Sequence, residues 1–247
     1  MPEEKLLRFA ELLRSSRRAV FFGGAGVSTE SGVKDFRSSD GIYNTVREYG
    51  ISPEEILSHN FFVRNPETFY DFHYNYFLNC KAEPNSAHKT LAELESKGIL
   101  QAVITQNIDG LHQRAGSRNV IELHGSTERH YCSVCGAAYP TENVKALKGK
   151  VPKCEKCGGI IRPDVTLYGE QLNELQVENA VSAISGSDLL IIGGTSLTVY
   201  PAAGFIGYYR GSSSVLINRD ETQYDSDATL VFRDSIGGIL SQALKLI

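Results

Sequence analysis

The chain has 247 residues, is 41% hydrophobic and 22% charged, and carries a formal net charge of -4. These are ordinary globular proportions, and a pI near 5.9 gives no overall electrostatic footprint for nucleic acid or a membrane surface. No apolar run approaches the ~20 residues of a membrane span, and the first residues lack an uninterrupted signal-peptide core, so a cytoplasmic protein is expected.

The N-terminal segment MPEEKLLRFAELLRSSRR places Leu6, Leu7, Phe9, Ala10, Leu12 and Leu13 on or near one face of an amphipathic helix. Residues 18–22 (RAVFF) then read as a buried strand, followed at once by Gly23-Gly24-Ala25-Gly26-Val27-Ser28-Thr29. Strand, glycine turn and helix start is the order of a nucleotide phosphate site, because glycine lets the backbone approach a diphosphate. The dinucleotide fingerprint is incomplete, since Thr29 stands where the third glycine belongs. Alone, the stretch reads as a tight turn as readily as a phosphate cradle. Residues 32–50 read as a loop, and Asp35, Phe36 and Arg37 make it a candidate lid beside the glycine turn. Residues 53–80 read as helical and aromatic-rich, a pattern of packing rather than of a cofactor box.

Ser86 to Lys97 forms a second amphipathic helix, stopped by Gly98, and leads to a strand over 100–105. The stretch Thr105 to Gly125, TQNIDGLHQRAGSRNVIELHG, gathers Gln106, Asn107, Asp109, His112, Glu122 and His124 at the ends of two β-like runs. Open α/β sheets place their chemistry just past strand ends. A helix over 173–184, strands at 188–192, 214–217 and 228–232, a short helix after Pro201 and a final helix from 236 complete the pattern. Gly193-Gly194-Thr195-Ser196 is a second strand-to-glycine turn.

Five cysteines are unevenly placed: Cys80 alone, and Cys132-x-x-Cys135 separated by eighteen residues from Cys154-x-x-Cys157. Two close pairs in a cytosolic chain indicate metal rather than disulfides. Four thiolates close a tetrahedral zinc shell, which marks a structural ion and not a catalytic one. A ribbon of this size buries little core, so the metal should stabilise it.

Taken in order, GAGVST (24–29), GVKDFR (32–37), TQNIDGLH (105–112), LHG (123–125), the four cysteines, RPDVTLYGE (162–170), GTSLTVYPA (194–202) and IN (217–218) resemble the sirtuins, which are NAD-dependent protein-lysine deacylases. The resemblance runs from about residue 6 to the C-terminus. It implies an α/β fold: a Rossmann-like parallel-sheet domain over 1–37, 86–125 and 166–247, with a small domain made of a helical insert (38–85) and the zinc ribbon (126–165). It implies NAD as co-substrate and zinc as structural ion. By similarity His124 is the general base, a task that suits imidazole, and Asn107 shares the catalytic role. Gly24, Ala25, Gly26, Asp35, Phe36, Arg37, Gln106, Asn107, Ile108, Asp109, Gly194, Thr195, Ser196 and Asn218 would contact NAD. Asp109 and the backbone near Ile108 hold the nicotinamide carboxamide in this reading. Thr166, Leu167, Tyr168, Gly169, Glu170, Leu197 and Val199 would receive an acyl-lysine peptide. Gly169-Glu170 and Leu197-Thr198-Val199 would flank it as an added strand, Phe36, Leu167 and Tyr168 would line the lysine tunnel, and the Thr166 carbonyl would accept the amide N–H. A monomer acting on acyl-lysine proteins, without nucleic acid or membrane, is the expected form.

Three departures stand out. Lys34 and Ser38 replace the proline and glycine usual in the sirtuin Asp-Phe-Arg loop, and Tyr168 stands where phenylalanine is commoner. The Tyr-x-x-Arg pair of sirtuins that favour acidic acyl groups is met only by Tyr70-x-x-His73, so an uncharged acetyl-type group is expected. A mono-ADP-ribosyltransferase using the same NAD site is the alternative. A non-enzymatic zinc-ribbon module for nucleic acid is disfavoured by the acidic pI and by polar residues outside the ribbon.

Overall fold

A computed structural model describes residues 3–34 and 46–247, with the side chains of 46 and 47 left aside. Asp35, Phe36, Arg37 and Ser38 lie outside the described residues.

The first helix, α1 (Glu3–Ser15), buries Leu6, Phe9, Ala10 and Leu13. Strand β1 (Ala19–Gly23) follows, buried at every position. Its glycine turn does not open a long helix: two single 3₁₀ turns, Ala25–Val27 and Thr29–Ser31, take that place. The expected loop over 32–50 ends in one helical turn, α2 (Val46–Tyr49).

The aromatic-rich segment is helical in pieces: α3 (Pro53–Ile56), α4 (His59–Arg64), α5 (Pro66–His73) and a π-turn, Tyr74–Leu78. The breaks have local causes. Ser52 and Ser58 each accept a backbone N–H as N-caps. Pro66, which has no N–H, sits at the start of α5.

Helix α6 (Ser86–Ser96) is capped by Asn85 and ends before Gly98, whose φ of +73° favours glycine. Then come β2 (Leu100–Thr105), α7 (Leu111–Arg114), β3 (Val120–Glu122), β4 (Gly125–Cys132), β5 (Ala138–Pro140), α8 (Thr141–Lys145) and β6 (Ile161–Val165). The chain closes with α9 (Glu174–Gly186), β7 (Leu189–Gly193), the 3₁₀ helix Ala202–Tyr208, β8 (Ser213–Ile217), β9 (Leu230–Phe232) and α10 (Ile236–Lys245).

Six strands form one sheet in the order β3-β2-β1-β7-β8-β9. Every neighbouring pair in it is parallel. This is the doubly wound order, with a switch point between β1 and β7 where the winding reverses. The period of two is visible in the packing. Phe21, Val103, Ile191 and Val215 face a core shared with α1, α6 and α10. Val20, Phe22, Ile104, Ile192 and Leu216 face a second core shared with α9 and the 3₁₀ helix. Parallel strands covered on both faces carry apolar residues throughout, and each such side chain contributes about 1.5–3 kcal/mol by burial.

Strands β5-β4-β6 form a separate antiparallel sheet. It shares a third core with the helical segment, in which Ile56, Phe69, Tyr70 and Phe72 pack with Cys132, Cys154, Ile161 and Leu167. The Tyr70 hydroxyl donates to the Ile161 carbonyl. Two segments far apart in sequence therefore build one lobe.

Candidate active site and cysteine centre

The two glycine turns leave the carboxyl ends of β1 and β7, on either side of the switch point. They lie backbone against backbone. A Cβ on Gly26 would meet the Gly194 Cα at 2.7 Å, and one on Gly194, where φ is +59°, would meet the Val27 nitrogen at 2.5 Å. Gly26 N–H donates to the Gly194 carbonyl at 2.8 Å. These two glycines serve the close approach of the turns to each other. Gly24 is less crowded, with the Thr195 Cβ 3.0 Å from its own would-be Cβ.

The stretch after β2 crosses the same end of the sheet. Gln106 N–H donates to the Gly23 carbonyl at 2.9 Å, and its side-chain amide donates to the Thr195 hydroxyl at 3.1 Å. Gln106 thus ties three strand ends together. The Asn107 amide donates to the Ser28 hydroxyl at 3.0 Å, and that hydroxyl donates to one Asp109 oxygen at 2.7 Å. The other Asp109 oxygen accepts the Leu111 N–H at 2.9 Å. The Ile108 carbonyl accepts both the backbone N–H and the hydroxyl of Thr127, at 2.8 and 2.9 Å.

His124 follows β3. Its Nδ1 lies 2.8 Å from the Gln106 carbonyl oxygen. A carbonyl only accepts, so Nδ1 carries the proton and Nε2 keeps its lone pair. Burial holds the imidazole below its ordinary pKa, with the Gln106 carbonyl pulling weakly the other way. A neutral ring with a bare Nε2 is the form a general base needs.

Ser28 and His88 complete this cluster, and neither stands out as a functional residue in the sequence. His88 is fully buried on α6, with Nε2 3.5 Å from the Ser28 hydroxyl. The signal that could have found it is the Asn85–His88 spacing. Asn85 caps α6, and His88 Nδ1 accepts the Asn85 N–H at 3.3 Å, a capping box closed by histidine. Asn85 also donates to the Val27 carbonyl at 2.8 Å, which fixes α6 to the glycine turn. His112 and Glu122 hold structural places. His112 is buried with its ring 4.7 Å from that of His88. Glu122 accepts from Gln113 and from Arg129, each at 2.7 Å.

Three further groups border this end of the sheet. Thr166 N–H donates to the His124 carbonyl at 3.0 Å, so the 166–170 segment starts at the histidine itself. Leu197 is buried with φ of +54°, a costly conformation for leucine, held by the Thr195 hydroxyl below and by Gln223, which donates to its carbonyl at 2.9 Å. Asn218, at the end of β8, donates to the Asp220 carbonyl at 2.9 Å.

The four paired cysteines converge. All four Sγ atoms lie within 4.8 Å of one another. Cys132 and Cys157 are 3.4 Å apart, and Cys135 and Cys154 3.6 Å. Tetrahedral Zn–S bonds of about 2.3 Å would set the sulfurs about 3.8 Å apart, so the donor set fits zinc. Backbone N–H groups of Cys135 and Val134 hold the Cys132 thiol below its ordinary pKa. The Tyr139 hydroxyl does the same for Cys154, to about 6. Cys157 receives a lowering hydrogen bond from Gly159, but the sulfurs of Cys132 and Cys135 outweigh it and push it up to about 12. Such a cluster needs a cation to ionise completely.

A sequence model of the Sir2 family matches residues 24–201. The NAD-dependent protein deacetylase of Clostridium perfringens is 52% identical over 243 residues, covering 98% of this chain and 99% of the relative. That of Clostridium tetani is 54% identical over 230 residues, covering 93% of each. Among solved structures, a Sir2–p53 peptide–NAD+ complex matches with a TM-score of 0.86 at 40% identity, covering 96% of each chain. A Sir2 variant with deacetylated p53 peptide and 3'-O-acetyl ADP-ribose matches with a TM-score of 0.88 at 40% identity, again over 96% of each. Family, strand order and polar cluster agree, and the chain belongs to the Sir2 family.

Proposed function

We propose that the protein is an NAD-dependent protein-lysine deacetylase. The observation that carries the reading is the His124 geometry: a half-buried imidazole whose Nδ1 proton is committed to the Gln106 carbonyl, beside a switch point built from two glycine turns. NAD, when bound, supplies an electrophilic ribose carbon from which nicotinamide departs and to which the acyl oxygen adds.

The chain's own groups do the rest. Gly24, Ala25, Gly26, Gly194, Thr195 and Ser196 line the diphosphate side, and Asn218 the adenosine ribose side. Gln106, Asn107, Ile108 and Asp109 receive the nicotinamide riboside, with Asp109 held rigid by Ser28 and Leu111. His124 Nε2 accepts a proton from a ribose hydroxyl. Preorganised donors and acceptors of this kind cost no reorganisation during reaction. Asp35, Phe36 and Arg37 belong to the same reading by motif.

The acyl-lysine segment lies between Thr166-Leu167-Tyr168-Gly169-Glu170 and Leu197-Thr198-Val199. The four cysteines hold a structural zinc. The large domain spans 1–37, 86–125 and 166–247, and the small lobe spans 38–85 with 126–165. A cytoplasmic monomer that makes no use of nucleic acid fits the acidic composition.

The test is product analysis by mass spectrometry, with NAD and a panel of acyl-lysine peptides. Nicotinamide, free lysine peptide and O-acyl-ADP-ribose in equal amounts are expected, fastest with acetyl. ADP-ribose retained on protein, without deacylated peptide, would instead establish the transferase alternative.

A further inference from the structure

Glu170 sits at a junction of three elements. One carboxylate oxygen accepts from Arg162 Nη1 at 2.6 Å and lies 2.8 Å from His59 Nδ1. The other accepts from Arg162 Nη2 at 2.9 Å and from the Leu167 N–H at 2.8 Å. Arg162 comes from β6 of the cysteine lobe and is buried between the rings of Phe62 and Tyr131, 5.6 and 5.8 Å from their centres. His59 comes from α4 and is half-exposed. The Arg162 fork also donates to the Val165 carbonyl at 2.8 Å.

The backbone is fixed in the same sense. Tyr168 N–H donates to the Leu57 carbonyl at 3.0 Å, and the Tyr168 carbonyl accepts the His59 N–H at 2.9 Å. The segment from Thr166 to Glu170 is thus strung between His124, the helical segment and the ribbon. Burial alone would raise the Glu170 pKa, but Arg162, Leu167 and His59 hold it down at about 2. A carboxylate with four fixed donors has no capacity left for a ligand lysine; its work is to shape the segment.

We propose that Arg162 and His59 are positioning residues for the acyl-lysine peptide, acting through Glu170 to hold residues 166–170 in the form that receives it. The inference rests on the deacetylase reading. It locates peptide recognition in the joint between the two lobes as well as in the segment that touches the peptide. Neither side chain is bonded to a residue assigned to NAD, so KM for NAD should respond to neither.

Steady-state kinetics on the zinc-loaded protein, varying acetyl-lysine peptide and NAD separately, tests it. Arg162→Lys keeps the charge and loses the planar fork. It should raise KM for the peptide roughly tenfold, with kcat and KM for NAD nearly unchanged. His59→Ala should raise peptide KM severalfold, and His59→Asn, which keeps a donor near the Nδ1 position, should restore it. Should the Arg162 variant fail to fold, the His59 pair on its half-exposed side chain carries the test. Peptide KM within twofold of wild type in both His59→Ala and Arg162→Lys overturns the positioning role, as does a parallel rise in KM for NAD. A wild-type protein that turns over no peptide overturns the deacetylase reading itself.

Discussion

At the residue scale the site is a set of groups already committed to one another. Asn107, Ser28 and Asp109 form a chain of hydrogen bonds of 3.0 and 2.7 Å, so each polar group is held before any ligand arrives. Ser28→Ala deletes the shared hydroxyl and leaves Asn107 and Asp109 free to turn. Loss of a buried hydrogen-bonding partner costs about 1–3 kcal/mol, so nicotinamide release should fall roughly tenfold while far-UV circular dichroism stays unchanged. His124→Ala removes the only group assigned to accept a proton and should lower deacetylation by about 10²–10⁴. The pH profile follows from burial. Because the His124 pKa lies below 6.5, the imidazole is already neutral at pH 7. A plot of kcat/KM against pH should be flat there and fall only on the acid side, with its midpoint below 6.5. His124, Asn107 and Asp109 were singled out by strand ends and motif order, and the fold gathers them at one end of the sheet. Ser28 and His88 were not, because their roles arise from a contact between α6 and the first glycine turn that no local pattern reveals.

At the element scale the cysteine ribbon is the dependent part. Its pairs β4–β5 and β4–β6 are short, and its core is borrowed from α3, α4 and α5. The cysteine spacing predicts a zinc knuckle, but not that Cys132 and Cys154 would be part of an aromatic core. That core depends on residues about sixty to a hundred positions earlier, and periodicity carries no information across such a distance. The same limit explains the helical stretch, where composition announces helix while serine caps and Pro66 cut it into short pieces. Removing the ion with a strong chelator, or Cys132→Ser, should leave like-charged or protonated sulfurs packed in the core. The expected result is a lower Tm, with the loosening transmitted to α5. Hydrogen exchange should accelerate at Phe69 to Phe72 as well as in the ribbon, while β1 and β7 stay protected. Unchanged exchange in α5 would mean that the lobe holds without its metal.

At the scale of the whole molecule, the sheet was readable almost strand by strand, since buried parallel strands are continuous apolar runs. The state of the buried histidines was not, because it is set by what folding places around them. His88 and His112 lie under the sheet's active end, with ring centres 4.7 Å apart, and neither ring nitrogen of His112 has a partner among the described residues. Burial pushes His112 down to about 3, with His88 adding to the effect. Burial also lowers His88 to about 4, against the opposing charge of Asp109. Above pH 6.5 folded and unfolded chains both keep these rings neutral, and stability does not depend on them. As pH falls below 6.5, the unfolded chain takes up protons that the folded one refuses. Each ring then removes up to ~1.4 kcal/mol per pH unit until its folded pKa is reached. Glu170 acts in a lower window: its contribution is intact above pH 4.5 and is lost as pH falls towards about 2. The urea midpoint should therefore be level near neutrality, decline between pH 6.5 and 4, and fall further below 4.5 as Glu170 joins. His112→Phe keeps a ring against Phe21 and His88 but cannot take a proton. It should make the first decline shallower without abolishing it, because His88, His73 and His130 are also lowered by burial and keep contributing, and leave the second in place; an unchanged slope between pH 6.5 and 4.5 would show that His112 is not a source of the acid sensitivity.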